Sequence, residues 1–155
     1  MQDADWINQF FSYLHNERRF SPLTLKHYRR DLNKAIQFCD KQGVERWKDM
    51  DVHHVRAFIA SQHRLGLNGR SIQRMLSAMR TLFNYLLRER VVDVNPATGV
   101  SAPKAPHKLP NPLDTDQVGR LLDITDNNPL AVRDRAMMEL LYSSGLRLAA
   151  LASLS

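Results

Sequence analysis

A chain of 155 residues can close one hydrophobic core of ordinary size, and its net charge of +6 at pH 7 raises the question of an acidic partner. Its single cysteine, Cys39, excludes an internal disulfide, and its six histidines show no ligand spacing, so the sequence predicts no metal site. No apolar run could span a bilayer, and the N-terminus, MQDADW, has no signal-peptide pattern, so we expect a cytoplasmic protein.

Hydrophobic residues recur every three to four positions in block after block, and strand-like alternation is absent, so an all-α fold is predicted. The first helix is expected over about residues 3–17. The second should begin at Pro22, with Ser21 as its N-cap, and run to Gly43.

A third helix is expected between Asp51 and about Gly66, and a fourth after Asn68 and Gly69. The fourth has the most regular pattern of all. Its single broad apolar face comprises Ile72, Met75, Leu76, Met79, Leu82, Phe83, Leu86 and Leu87.

Composition changes at NPATGVSAPKAPHKLPNP, residues 95–112, which hold five of the seven prolines. Such sequence is typical of an extended connector, so we predict one helical domain over residues 1–100 and a linker over residues 101–112. Residues 113–155 should form two more helices, the second ended by Gly145. Their predicted inward side chains are Val118, Leu121, Leu122, Val132, Met137, Leu140 and Leu141. This segment is too short to close its own core, so we expect it to be the truncated start of a larger domain.

The positive charge is concentrated in the middle of the chain. Residues 17–90 contain 16 Lys and Arg against 7 Asp and Glu, a net charge of +9, whereas the flanking segments carry −2 and −1. This excess predicts a polyanionic partner, most simply nucleic acid. The alternative is a solvated basic surface without a partner.

Two predicted helices present outward faces suited to DNA. An α-helix fits the major groove, where Arg bonds guanine, Asn and Gln read adenine, and Ser or Thr bond phosphates. The fourth helix has no acid on its outward face, which comprises Arg70, Arg74, Ser77, Thr81, Asn84 and Arg88, flanked by Gln73 and Arg80. The second helix offers Thr24, Lys26, His27, Arg29, Arg30, Asn33 and Lys34. Two ordinary solvated helix faces are the competing interpretation.

Arg147, two residues after Gly145, is a candidate catalytic residue for phosphoryl transfer. A backbone set by a helix C-cap can aim a guanidinium at two phosphate oxygens, as phosphoryl transfer requires. The alternative is that Arg147 is an ordinary surface arginine that follows the C-cap of a helix. Tyr142 could act as a nucleophile, but its position beside Leu140 and Leu141 predicts a core residue instead.

Four blocks of the sequence, in this order, resemble bacterial tyrosine recombinases of the phage-integrase family, and their Xer type in particular: RFSPLTLKHYRRDL, SIQRMLSAMRTLFNYL, NPATGVSAPKAPHKLP and PLAVRDRAMMELLYSSGLR. The resemblance covers nearly the whole chain. It implies a SAM-like core-binding domain of four to five helices, a linker that carries Lys104 along the DNA, and the first helices of a catalytic domain. It also implies that Arg147 is the first catalytic arginine, which binds the scissile phosphate.

The implied function is site-specific recombination that resolves chromosome dimers, with no metal or nucleotide cofactor. The implied partners are a duplex recombination site, a second recombinase of the same type and a DNA translocase at the septum. In the family, the nucleophilic tyrosine and most catalytic residues follow the part matched here, so we expect this chain to bind DNA without cutting it. Ala150 departs from the family, which usually has glutamate at that position.

Two other interpretations remain open. The chain could be a non-catalytic helical module that binds DNA or self-associates through the apolar faces of residues 113–151. It could instead belong to a phage-type integrase that inserts foreign DNA, although the amino-acid sequence of the linker favours the Xer type.

Overall fold

The computed structural model describes residues 4–104, 109, 111–126 and 128–154, and all regular structure in these ranges is helical. The all-α prediction is confirmed for them. The chain divides into two compact units, Met1–Pro106 and His107–Ser155. Within the predicted linker, residues 105–108 and 110 lie outside the described residues, so the predicted domain limits stay predictions.

Four long helices build the first unit. They are α1 Ala4–Asn16, α2 Pro22–Lys41, α3 Val52–Arg64 and α4 Gly69–Arg88. The last three have the N-cap residues Ser21, Asp51 and Asn68. The side chain of each N-cap accepts a hydrogen bond from a backbone N–H of the first turn. Gly43 and Gly66 take positive φ just beyond α2 and α3, as expected of glycines that end helices.

Helix α4 is the centre of the first unit, because it packs against α1, α2 and α3. Seven of the eight residues predicted on its apolar face are buried, and Leu87 is partly buried. Aromatic rings pack around it: Phe83 meets Trp47 edge-on at 5.8 Å, and Tyr85 stacks on Tyr13 at 5.1 Å, measured between ring centroids. Enclosing this face leaves the opposite side of α4 at the surface.

Parts of the core escaped the prediction from sequence. A short 3-10 helix, Trp47–Asp49, buries its tryptophan, and the segment after α4 contributes Ala97 and Val100. Asp31 of α2 is also buried, with only 2% of its surface exposed. Helical periodicity could not identify Trp47, Ala97 and Val100, because they lie outside the long helices.

The second unit contains α5 Thr115–Leu122, α6 Pro129–Ser144 and the single turn α7 Leu148–Leu151. None of its described residues is buried, as expected of a segment too short to close a core. The inward positions predicted for some of its residues are therefore wrong, since 39% to 52% of the surface is exposed at Leu121, Val132, Met137 and Leu140. Tyr142, also predicted in a core, is 60% exposed.

Two other features are absent from the described ranges. No helix there is both long enough and apolar enough to cross a membrane. Nor do three side chains among His, Cys, Asp and Glu come together there as ligands of a metal ion would.

The buried thiol of Cys39 yields a prediction about reactivity and pH. Its Sγ lies 3.9 Å from Sδ of Met50, and burial raises the pKa of the thiol from 9.0 to about 11. We expect the native protein to resist thiol reagents near neutral pH and the denatured protein to react fully. The free energy of unfolding should hold its full value below about pH 9 and fall as the pH rises through 11, because the unfolded thiol ionises first. Native reactivity like that of a small free thiol would contradict this.

Candidate nucleic-acid interface

A surface groove between α2 and α4 brings together polar residues from both helices. Its volume is about 400 Å³, and its lining comprises Thr24, His27, Tyr28, Arg70, Gln73, Arg74 and Ser77. The groove forms because the two helices pack through their apolar faces, which leaves their polar edges side by side at the surface. Six of the lining residues belong to the predicted outward faces suited to DNA: Thr24, His27, Arg70, Gln73, Arg74 and Ser77.

An ion pair joins the two helices at this groove. Nε of Arg74 donates to Oδ2 of Asp31 at 2.7 Å, and Nη2 donates to Oδ1 at 3.2 Å. The carboxylate is 1% exposed, whereas the arginine side chain is 31% exposed and reaches the surface. The hydrogen bonds from Arg74 to Asp31 raise the pKa of Arg74, so the guanidinium stays charged.

Asp31 is the partner of Arg74 that the sequence interpretation missed. The outward face of α4, which we call the α4 strip, has no acidic residue. Asp31 of α2, 43 positions away in sequence, supplies a carboxylate to it. A signal was available in the spacing, because Asp31 lies three residues after Tyr28 and four before Ala35, on the inward stripe of α2. A charged residue at a position expected to be buried indicates a partner.

The other predicted residues of α2 lie on different sides of that helix. Lys26, Arg30 and Asn33 are exposed. Arg29 lies toward α1, because its guanidinium sits 4.2 Å from the ring centroid of Phe11 in a cation–π contact. The structure therefore does not bring Arg29 into the groove.

Farther along α4, Arg80 binds the segment that follows the helix. Its Nε donates to the carbonyl oxygen of Ala97 at 3.0 Å, and its Nη2 donates to that of Val100. Nδ2 of Asn95 donates to the carbonyl oxygen of Arg80 at 3.1 Å and to Oδ1 of Asn84 at 2.7 Å. These bonds give Arg80 a structural role, and a DNA contact for it stays a prediction.

Arg88, the last arginine of the α4 strip, contacts an aromatic ring and two carboxylates. Arg88 lies over the ring of Tyr13, 4.2 Å from its centroid, and forms ion pairs with Glu89 at 2.9 Å and Glu17 at 3.6 Å. Its charge is therefore offset by two carboxylates at the surface. The strip predicted as one face thus divides into a groove end and an end bound to α1.

The hydroxyls of the strip are held by α4 itself. Oγ of Ser77 donates to the carbonyl oxygen of Gln73 at 3.0 Å, and Oγ1 of Thr81 donates to that of Ser77 at 2.7 Å. Each hydroxyl keeps lone pairs that can accept a bond from an outside donor. Lys104, predicted to follow the DNA, is exposed in the segment after α4.

In the second unit, Arg147 lies where a helix stop was expected. Gly145 caps α6 in the left-handed conformation, with φ of 64°, and Arg147 precedes α7 in an extended conformation. The side chain of Arg147 is exposed and bonds to none of the described residues. The local backbone is thus arranged as predicted, while the catalytic role of Arg147 stays a prediction.

Comparison with known proteins places this architecture in a family. Residues 7–90 match the phage integrase N-terminal SAM-like domain, and residues 111–155 match the phage integrase family. The first match covers more than half of the chain, which therefore belongs to the phage integrase family.

Particular relatives are tyrosine recombinases named XerC. The chain is 47% identical over 150 residues to XerC of Pseudomonas syringae pv. syringae (strain B728a), a match that covers 96% of this chain and 50% of the relative. It is 46% identical over 148 residues to XerC of Escherichia coli (strain K12 / DH10B), with the same coverage of 96% and 50%. The chain thus spans about half the length of the curated relatives it matches.

The bonds of Arg80 yield a prediction about stability. Arg80→Met leaves two carbonyl oxygens beside the core without their donors, so we expect the free energy of unfolding to fall by about 1–3 kcal/mol. Urea denaturation followed by circular dichroism measures the change. The matched control is Arg70→Met, an exposed arginine of the same helix, for which a change within about 0.5 kcal/mol is expected. Equal effects of the two substitutions would contradict the role given to Arg80.

Proposed function

We propose that this chain is the DNA-binding part of a XerC-like tyrosine recombinase, and that the α2–α4 groove binds a duplex recombination site. The observation that carries the proposal is the groove itself, which collects two arginines, the amide of Gln73 and the hydroxyls of Thr24 and Ser77 on the basic part of the chain. These are the groups that contact phosphates and base edges in the major groove of DNA. The names of the relatives and the family match support the same assignment.

We assign two kinds of contact within this surface. The exposed cations Lys26 and Arg70 are suited to phosphates, because long solvated side chains can follow the DNA backbone. Arg30 is also exposed and is assigned the same contact, while its Nε lies 4.0 Å from Oδ1 of Asp31. The side chains Gln73 and Asn33 offer amides for base edges. Hydroxyl contacts with phosphates are assigned to Thr24, Ser77 and Thr81, and Lys104 extends the basic path beyond α4.

For the second unit we propose a place in the catalytic centre of the whole recombinase. Arg147 would bind the scissile phosphate, because its backbone is set by the cap at Gly145 and its side chain is exposed. We further propose a XerD-like partner recombinase, a septal DNA translocase and a cytoplasmic role in chromosome dimer resolution, partition and cell division. These follow from the likeness to XerC alone.

A second candidate function is self-association of the chain through its second unit. Large apolar side chains are exposed there, among them Leu130 and Leu148 at 62% and 73%. Exposed apolar surface of this kind favours association with a protein surface. Light scattering across a concentration series would detect it, and a constant monomer mass would remove this candidate.

Duplex binding and its salt dependence test the main proposal. If about six to ten phosphates are contacted, affinity should fall by roughly 10³ to 10⁵ between 50 and 200 mM salt. Fluorescence anisotropy with a XerC-type half-site and a scrambled duplex of equal length measures both affinity and preference. Equal affinity for the two duplexes would leave general DNA binding only, and no binding at low salt would overturn the proposal.

Arg70→Ala tests the phosphate contacts without disturbing an internal bond. We expect weaker binding to every duplex and a slope of log affinity against log salt that is smaller by about 0.9, the value for one lost phosphate contact. Arg135→Ala, which removes the same charge from α6, is the matched control and should leave binding nearly unchanged. Arg74→Ala is a poorer test, because it strands the buried carboxylate of Asp31.

Arg147→Ala should change duplex binding of this chain little, because no described residue holds its guanidinium in the place that a scissile phosphate requires. A nicked suicide duplex should give no covalent protein–DNA adduct with this chain, since a phosphate-binding arginine alone cannot carry transesterification. An adduct on Tyr142, detected by peptide mass spectrometry, would contradict the assignment and make that exposed tyrosine the nucleophile.

A further inference from the structure

We propose that buried Asp31 positions Arg74 to read a guanine base, so that this pair sets sequence preference while exposed cations set affinity. The proposal rests on the proposed function and goes beyond it, because it assigns the selectivity of the groove to one arginine and to a residue that never touches DNA.

The geometry of the guanidinium is the first step. Arg74 uses Nε and one N–H of Nη2 to bond both oxygens of Asp31, so one full edge of its fork is occupied. The other edge, formed by Nη1 and the second N–H of Nη2, remains available for a bidentate bond. That edge matches the O6 and N7 acceptors that guanine presents in the major groove.

The placement of the pair is the second step. The carboxylate of Asp31 is held in the interface of α2 and α4, while part of Arg74 reaches the groove beside Gln73 and Ser77. The arginine therefore gives up rotamer freedom when the protein folds instead of when it binds DNA, which is preorganisation for a directional contact. A buried ion pair is a weak source of stability compared with an apolar pair of the same size, so orientation is the clearer physical effect of Asp31.

Charge separates this arginine from its neighbour on α4. Asp31 offsets the charge of Arg74 at 2.7 Å, so the pair as a unit adds little to the general attraction between the protein and DNA phosphates. Arg70 is exposed, and its side chain forms no bond with the described residues, so its charge acts on any duplex. Two arginines one helical turn apart are thus assigned different tasks.

The test uses the full 155-residue chain and a duplex that the chain itself selects from a random-sequence library. Affinity is measured for this duplex and for a scrambled one across a salt series. Each guanine of the selected duplex is then replaced in turn by 7-deazaguanine, which lacks the N7 acceptor. With the unaltered chain we expect at least one guanine position to weaken binding when replaced.

Two variants separate orientation from charge. Arg74→Lys keeps the charge and an ion pair with Asp31 but removes the fork, and Asp31→Asn combined with Arg74→Gln removes the pair without changing the net charge. We expect both variants to lose preference for the selected duplex by a factor of roughly ten to a hundred, with an unchanged salt slope. The 7-deazaguanine effect at the position read by Arg74 should disappear. Arg70→Ala, the control, should keep the preference and lower the salt slope.

The possible outcomes are distinguishable. Variants that keep the preference and the 7-deazaguanine effect, or a salt slope that falls by about 0.9 in the double variant Asp31→Asn, Arg74→Gln, overturn the role of the pair. Binding of all duplexes with equal affinity by the unaltered chain overturns it too and leaves DNA binding standing. Failure of the unaltered chain to bind any duplex is the failure of the proposed function itself. Circular dichroism checks the fold, and if the double variant is unfolded, Arg74→Lys decides.

Discussion

The central constraint in this molecule is that α4 serves two surfaces at once. Over its 20 residues, one face is enclosed by α1, α2 and α3, and the opposite face is the strip of arginines, amides and hydroxyls. Each residue turns an α-helix by about 100°, so shifting its register by one position would bury Arg74 and expose part of the core. The packing of Ile72, Leu76 and Phe83 therefore decides where the polar strip points. The direction of this polar surface is therefore set by the core and not by the bonds among its own side chains.

Four arginines of α4 illustrate how neighbours assign tasks to identical side chains. Arg70 is exposed, Arg74 is paired with a buried carboxylate, Arg80 is bonded to the carbonyl oxygens of the following segment, and Arg88 lies over an aromatic ring between two glutamates. All four lie on or beside one helical face, and all carry the same charge. Their different partners come from α2, from residues 95–100 and from α1. The position of those partners alone decides whether an arginine of α4 stays a solvated cation, donates in a fixed direction or holds another segment in place.

In the second unit, capping residues fix the ends of the helices although no core is formed there by the described residues. Asn128 and Gly145 cap the two ends of α6, and Asp114 caps α5, so the helices begin and end at definite residues. None of their described side chains is buried. The backbone around Arg147 is accordingly well defined, whereas no described side chain holds its guanidinium. Capping determines backbone conformation, but a directed side chain also needs neighbours.

Sequence alone determined the all-α class, the starts of α2 and α3 after Ser21 and Asp51, and the apolar face of α4. Each depends on residues within a few positions of one another, where hydrogen-bonding groups and helical periodicity act locally. It also indicated the family, through blocks that lie in order along the chain. The tertiary structure alone decided that Asp31 is buried against Arg74, that Arg80 binds the segment after α4, and that Arg29 lies toward α1. Those outcomes join residues far apart in sequence, and the energy of a charge depends on the burial and partners that only the packed helices provide.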